Sequence, residues 1–366
     1  MTEFPTFFAG KRVFLTGHNG FKGSWLATWL KVMGAEVTGF SLPCGADSQA
    51  IFAAAGVEDG MRSLAGDIMD ADAVRRAMVD ADPEMVIHNA AQALVRKSYA
   101  EPLGTFATNI MGTANVLDAM RSCKQIRSAV VVTTDKCYEN REWTYSYREV
   151  DRLGGRDPYS ASKACAELVT HSYRSSFLAQ QGIAVATARA GNVIGGGDWA
   201  EDRLVPDIIR ALQQGKPIIL RNPQAQRPWQ HVLEPVRGYL LLSKKLYEGG
   251  QGCAEAWNFG PPESSAVPVR QLTETILKVW GSGSYELDER PGDPHEAGVL
   301  KLDSSKAKAR LGWTPLLSLE DSVRYTVEWY HAAWTDLPSC QKLSLAQIAG
   351  YEQLMSAQKS KPAWAK

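Results

Sequence analysis

The sequence lacks a net charge: 40 Lys and Arg residues are balanced by 40 Asp and Glu residues. Without a positive field nothing holds a phosphodiester backbone or an anionic membrane surface at long range, so nucleic acid and membrane are disfavoured as partners. Any anion must be met by local groups, helix N-termini and individually placed arginines. No apolar run approaches the roughly 18 residues that a membrane-spanning helix needs. Met1 to Gly10 holds no basic stretch leading into a long apolar one, so a soluble, cytoplasmic protein is expected. The six cysteines (Cys44, Cys123, Cys137, Cys165, Cys253 and Cys340) form no Cys-x-x-Cys pair, and the six histidines are dispersed. That pattern favours free thiols in a reducing compartment, and no metal site is expected.

What is present is ordinary globular composition, 45% hydrophobic and 22% charged over 366 residues, enough for about two domains. Short β-branched runs alternate with helix-period stretches in the first half. Strands are expected at 11–17, 35–42, 63–67, 85–90, 129–134 and 184–194, with helices at 24–34, 71–80, 105–121 and 160–180. Repeated βα units predict a parallel sheet covered by helices on both faces, with ligands at the carboxyl ends of its strands. From about residue 195 Gly and Pro punctuate the chain. Helices are expected at 204–214, 235–246, 269–280 and 319–333, a short strand at 257–260, and a frayed tail after Ser356.

The first strand runs into Gly17-His18-Asn19-Gly20-Phe21-Lys22-Gly23 and then a helix. Gly17 suits a tight turn, Gly20 lets the backbone approach a pyrophosphate, and Gly23 lets the helix pack close on the strand, while the helix N-terminus faces the negative charge. An acid that reads the adenosine ribose belongs at the end of the second strand, but the residues there are Gly39-Phe40-Ser41-Leu42. The choice between NAD and NADP is therefore open. Asp67, closing the third strand, is either an acceptor for the adenine amino group or an ordinary strand-end cap.

Tyr159 and Lys163 stand four apart at the start of a helix, which puts both on one face. An ammonium near a phenol, beside an oxidised nicotinamide, favours phenolate and makes the tyrosine a general base. The strand ending in Thr133-Thr134-Asp135-Lys136 opens onto the same cleft with a hydroxyl, an acid and an amine.

These motifs, with Asn89-Ala90-Ala91, resemble the extended short-chain dehydrogenase/reductase superfamily over most of the chain. Within it, Gly17 to Trp25, Ala91-Gln92-Ala93-Leu94-Val95-Arg96, Thr134-Asp135-Lys136, Arg227 to Val232 and His295-Glu296-Ala297 resemble the family of dehydratases that act on CDP-D-glucose. Ala93 stands where proline is expected. The resemblance implies a Rossmann-type doubly wound parallel sheet with a smaller interleaved C-terminal α/β substrate domain. The cofactor domain would be 1–194 plus about 228–262, the nucleotide-sugar domain about 195–227 and 263–345, and the tail 346–366.

By the same resemblance NAD is held by Gly17, His18, Asn19, Gly20, Phe21, Lys22, Gly23, Asp67, Ile68, Ala90, Ala91, Gln92, Asn109, Thr133, Tyr159 and Lys163. Tyr159 would take the C4 hydroxyl proton with Thr134 bonded to that oxygen. Asp135 and Lys136 would act as acid and base in loss of water across C5 and C6, and the hydride would return to C6. Relatives acting on dTDP-glucose have glutamate in place of Lys136, so this amine is either a base or an electrophile steadying the enolate. The sugar diphosphate would be met by Arg96, Asn192, Arg203, Arg227 and Arg290. A homodimer through the 105–121 and 160–180 helices is implied. The rivals are a nucleotide-sugar 4-epimerase, a dehydratase for another nucleotide sugar, and a cofactor-fold sensor without catalysis.

Overall fold

Strands β1 (Arg12–Thr16), β2 (Glu36–Ser41), β3 (Arg62–Ala65), β4 (Met85–His88), β5 (Ser128–Val132) and β6 (Ala184–Arg189) form, with Ala256–Asn258, one seven-stranded sheet. Every residue of β4, β5 and β6 is buried, as strands covered on both faces require. The computed structural model describes residues 4–44, 49–288 and 299–360. Arg290 and His295-Glu296-Ala297 lie outside the described residues.

All pairings in the sheet are parallel, in the order Ala256–Asn258, β6, β5, β4, β1, β2, β3. The chain winds one way from β1 to β3 and the other way from β4 onward, so the order reverses between β1 and β4. A crevice opens there at the carboxyl ends. One face buries Leu15, Trp25, Trp29, Ile87 and Val130, the other Phe14, Phe40, Val86, Leu117 and Val131.

Three small strand pairs, Val193–Ile194 with Gln230–His231, Gln226–Pro228 with Ala266–Pro268, and Ile218–Leu220 with Tyr285–Leu287, lie beyond the sheet with helices Leu204–Gln213, Val269–Trp280 and Leu319–Thr335. Between them the chain returns to the sheet through helix Leu233–Gly249. The expected 184–194 strand is two pieces, because Asn192 is left-handed (φ 51°) and interrupts the ladder. The expected 105–121 helix is real but carries a π turn at Ala107–Met111.

The tail differs from expectation up to Ser360, and residues 361–366 lie outside the described residues. Ser339–Ser360 is one helix, with Cys340, Ile348 and Tyr351 buried and the Tyr351 hydroxyl donating to Glu234 at 2.5 Å. The Lys/Ala composition of the last residues hides the apolar positions upstream that seat it.

Candidate active site

Glycine geometry shapes the first turn. Gly17 has φ 72°, and a Cβ there would lie 2.8 Å from Ala90; one on Gly23 would lie 1.8 Å from the Gly17 carbonyl oxygen. Neither position admits a side chain. A Cβ on Gly20 would meet nothing within the chain closer than 3.6 Å, so the space above it is open to a ligand. Gly20 is also the N-cap of helix Phe21–Val32, and no side chain covers the first-turn N–H groups. This cradle fits a dinucleotide pyrophosphate. Beside it a cavity of about 240 Å³ is lined by His18, Asn19, Ser41, Leu42, Glu58 and Ser63, among others. His18 lies on Gly39, with its ring nitrogens 2.9 Å from Ser41 Oγ and 2.8 Å from Ser63 Oγ. Burial pushes its pKa down to about 4.

Under the crevice, Thr16 Oγ1 accepts from the N–H groups of Asn89 and Ala90, both at 3.1 Å. Its one proton therefore goes to His88 Nδ1 at 2.7 Å, which leaves Nε2–H to donate to Thr113 at 3.1 Å. Burial and Lys163 push His88 down to about 3, so it is neutral. Thr113 donates to the Asn109 carbonyl. Asn109, in the π turn, accepts from Gln92 N–H at 2.8 Å and donates to Ser162 Oγ at 2.8 Å. The crevice is thus tied to the helix that carries Tyr159.

That helix, Pro158–Tyr173, starts where Asp157 accepts from the Ser160 N–H and proline occupies the first turn. Tyr159 and Lys163 are both buried. The Lys163 ammonium donates to the Val132 carbonyl at 3.0 Å, and burial pushes its pKa down to about 8 against the pull of Glu167 and Cys137. Burial pushes Tyr159 up to about 12, countered by its hydrogen bond with Thr134 and by Arg203. The lowering expected from the Tyr-x-x-x-Lys pair does not come from Lys163, whose ammonium is turned to the strand carbonyl.

Thr134 donates to Asp135 at 3.0 Å, and Asn192 donates to the other Asp135 oxygen at 3.3 Å. Asp135 is 1% exposed, and a Cβ on Gly191 would fall 1.9 Å from its carboxylate. Gly191 and left-handed Asn192 thus hold the acid from behind. Lys136 follows, half-buried. Lys22 is half-buried as well. Burial pushes it down to about 8, helped by Arg203 and Lys163 and opposed by Asp135 and Asp198, so its ammonium faces the catalytic cleft as well as the phosphate turn.

Several expected ligands are engaged elsewhere. Thr133 donates to Glu167 at 2.5 Å rather than into the cleft. Ile68 packs on Gly112 in the core. Asp67 caps its own turn, accepting from the Met69 N–H at 2.9 Å. The Gln92 side chain is bound to Leu94 and Thr105. Arg203 donates to buried Asp198 at 2.9 Å, and its guanidinium acts on Tyr159, which places it at the site. Arg96 and Arg221 both face Asp202, at 3.7 and 3.6 Å. Arg227 donates to the Gln226 carbonyl.

Sequence reasoning missed Arg221, Asp198 and a buried pair beneath the site. Glu167 accepts from Arg189 through both oxygens, at 3.0 and 2.8 Å, and from Thr133 and Thr187. Burial would raise Glu167, but Arg189 and the two hydroxyls hold it below the usual carboxylate range. Arg189 also donates to Tyr138, which donates to Asn258. The position of Glu167, one helical turn past Lys163, is the only signal the sequence offers.

The family model described as GDP-mannose 4,6 dehydratase matches residues 14–326. The chain is 45% identical over 348 residues to a CDP-glucose 4,6-dehydratase of Salmonella typhimurium, covering 93% of this chain and 96% of the relative. It is 32% identical to a dTDP-glucose 4,6-dehydratase of Streptomyces griseus, covering 73% and 76%. Among solved structures it is similar to a dTDP-glucose 4,6-dehydratase from Streptomyces venezuelae that holds NAD, with TM-score 0.75, 26% identity and 89% and 99% of the two chains covered. A UDP-glucose 4-epimerase of Thermotoga maritima shares the fold at TM-score 0.75 and 23% identity, covering 88% and 99%. With a family model spanning most of its length and a sheet, phosphate turn and Tyr/Lys helix in the expected places, the chain belongs to the GDP-mannose 4,6-dehydratase family.

Proposed function

We propose that the protein is an NAD-dependent CDP-glucose 4,6-dehydratase, converting CDP-D-glucose to CDP-4-dehydro-6-deoxy-D-glucose and water. The observation that carries this reading is Asp135, a buried carboxylate held between Thr134 and Asn192 beside Tyr159. An epimerase needs no acid at that position. The 45% identical Salmonella typhimurium relative supports the nucleotide. Residues 1–194 with about 228–262 hold the cofactor on this reading, and about 195–227 with 263–345 hold the sugar nucleotide.

The turn at Gly17, Gly20 and Gly23 with the helix N-terminus would hold NAD, which would supply a hydride acceptor for C4 and a hydride donor for C6. Tyr159, bonded to Thr134, takes the C4 hydroxyl proton, and the resulting 4-keto group acidifies the C5 hydrogen. Asp135 delivers a proton to the departing C6 oxygen. Lys136 either takes the C5 proton or steadies the enolate, and a proton goes back to C5 when hydride enters C6. Tyr159 at about 12 is a poor base by itself, and the positive charge of the oxidised nicotinamide acts in the lowering direction. Lys163 at about 8 is charged at neutral pH, but its ammonium is spent on the Val132 carbonyl, so Thr134 and Arg203 are the groups of this chain that favour the phenolate. Arg203 and Asn192 are the arginine and amide at the site for the diphosphate, with Arg96 on the short helix Val95–Ala100, Arg221 just after strand Ile218–Leu220 and Arg227 in strand Gln226–Pro228.

The protein is read as a cytoplasmic homodimer. Among the described residues no helix is long and apolar enough to cross a membrane. Leu103 and Met111 on one helical run and Leu168 on the neighbouring helix are 83%, 56% and 57% exposed, a stripe a second copy would cover. Light scattering at twice the 40.1 kDa chain mass is expected; a single-chain mass contradicts it.

The test of function is incubation with CDP-, dTDP-, UDP- and GDP-glucose, followed by mass spectrometry. Loss of one water from the CDP sugar is expected, with the other nucleotides processed more slowly. Unchanged mass with an altered C4 configuration would favour an epimerase.

A further inference from the structure

The sheet end that should hold the adenosine half of the cofactor has no acid in the usual place. β2 ends at Ser41, whose hydroxyl is already hydrogen-bonded to His18. His18 is locked between Ser41 and Ser63, and burial holds it neutral at pH 7, with a pKa of about 4. Among the described residues no lysine or arginine lines the cavity of about 240 Å³ at this point. The one carboxylate among the described residues of its lining is Glu58, which belongs to none of β1, β2 or β3 but to the turn that precedes β3.

That turn is built to stay in place. Lys31, on the helix whose N-terminus forms the pyrophosphate cradle, donates to the carbonyls of Gly56, Val57 and Asp59 at 3.4, 2.6 and 2.7 Å. Gly56 and Gly60 take the left-handed backbone the turn needs, at φ 55° and 74°, and Val57 is fully buried beneath it. Glu58 itself is exposed at the cavity rim, where a carboxylate can accept from a ribose diol.

We propose that Glu58, carried on a turn pinned by Lys31, reads the 2′-hydroxyl of the adenosine ribose and sets the preference for NAD over its 2′-phosphorylated form. A carboxylate accepts hydrogen bonds from the free 2′-hydroxyl and repels a 2′-phosphate, and no cation among the described residues of the cavity lining offsets that repulsion. The inference rests on the cofactor reading of the first turn.

The test is isothermal titration of the full-length, cofactor-stripped chain with NAD+ and NADP+, for the unaltered protein and for Glu58→Gln, Glu58→Lys and Asp59→Asn. Glu58 is exposed, so Glu58→Gln is expected to fold. It should weaken NAD+ about tenfold, leave NADP+ unchanged or tighter, and narrow the preference at least as much. Glu58→Lys should tighten NADP+. Asp59→Asn alters the same charge on the neighbouring residue and should leave the ratio alone. An unmoved ratio in Glu58→Gln overturns the proposal, as does an equal shift in Asp59→Asn. If the unaltered chain bound neither dinucleotide, the cofactor reading would fall together with this one.

Discussion

The two halves of the crevice are built in opposite ways. At the β1 end the work is done by missing atoms: Gly17 and Gly23 leave space that one methyl group would fill, and His18 beside them is neutral. At the β5 and β6 end the work is done by buried charge. Glu167 and Arg189 are 4% and 3% exposed and join β5, β6 and the Tyr159 helix through one bidentate pair. A shape-built site tolerates changes of charge but not of volume, and a charge-built site fails when one partner is lost.

The sharpest way to break this contrast is Glu167→Gln. It leaves Arg189 buried without its counter-ion and should cost about 3–5 kcal/mol, read by urea denaturation. Replacing both members together, Glu167→Met with Arg189→Met, should recover much of that loss. A single substitution with little effect would mean that the pair is not what holds this end. At the other end Gly23→Ala drives a methyl into the Gly17 carbonyl and should cost about 1–3 kcal/mol, with a matching loss of cofactor affinity, whereas Lys31→Met, which removes three hydrogen bonds to the Glu58 turn but fills no space, should weaken cofactor binding by less.

A further effect is graded by pH rather than by substitution. His18, His88 and His231 are held at about 4, 3 and 3 by burial, all below the unfolded value of about 6.5. Between the folded and unfolded values the unfolded chain binds more protons, so stability falls as pH drops below about 6.5. Each histidine adds a slope approaching about 1.4 kcal/mol per pH unit. Unfolding free energies at pH 7, 6 and 5 check the sign; a flat profile would mean that these histidines are not buried neutral.

The same contrast explains what was legible in the sequence. Gly17, Gly20 and Gly23, and Tyr159 with Lys163, announce themselves because local geometry dictates their spacing. So does the sheet, whose βα order was readable from periodicity. Glu167 with Arg189, Asp198 with Arg203, and Asp202 with Arg96 and Arg221 depend on strand register and loop path, which no local pattern encodes. The direction of the Thr133 and Ile68 side chains follows from the same cause. Their place in the chain is next to the cleft, while the pleat and the helix packing turn their side chains away from it. The tail helix was obscured because its apolar positions are sparse, and only the Trp29 and Glu234 partners reveal why Tyr351 and Glu352 are held.

The account stands on hydride moving within one sugar, from C4 to C6, while Asp135 removes the oxygen between those events. CDP-glucose carrying deuterium at C4 tests this directly in a single turnover with unlabelled NAD. The account predicts the label on C6 of the 4-keto-6-deoxy product. Deuterium that remained at C4, or was lost wholly to solvent, would contradict it.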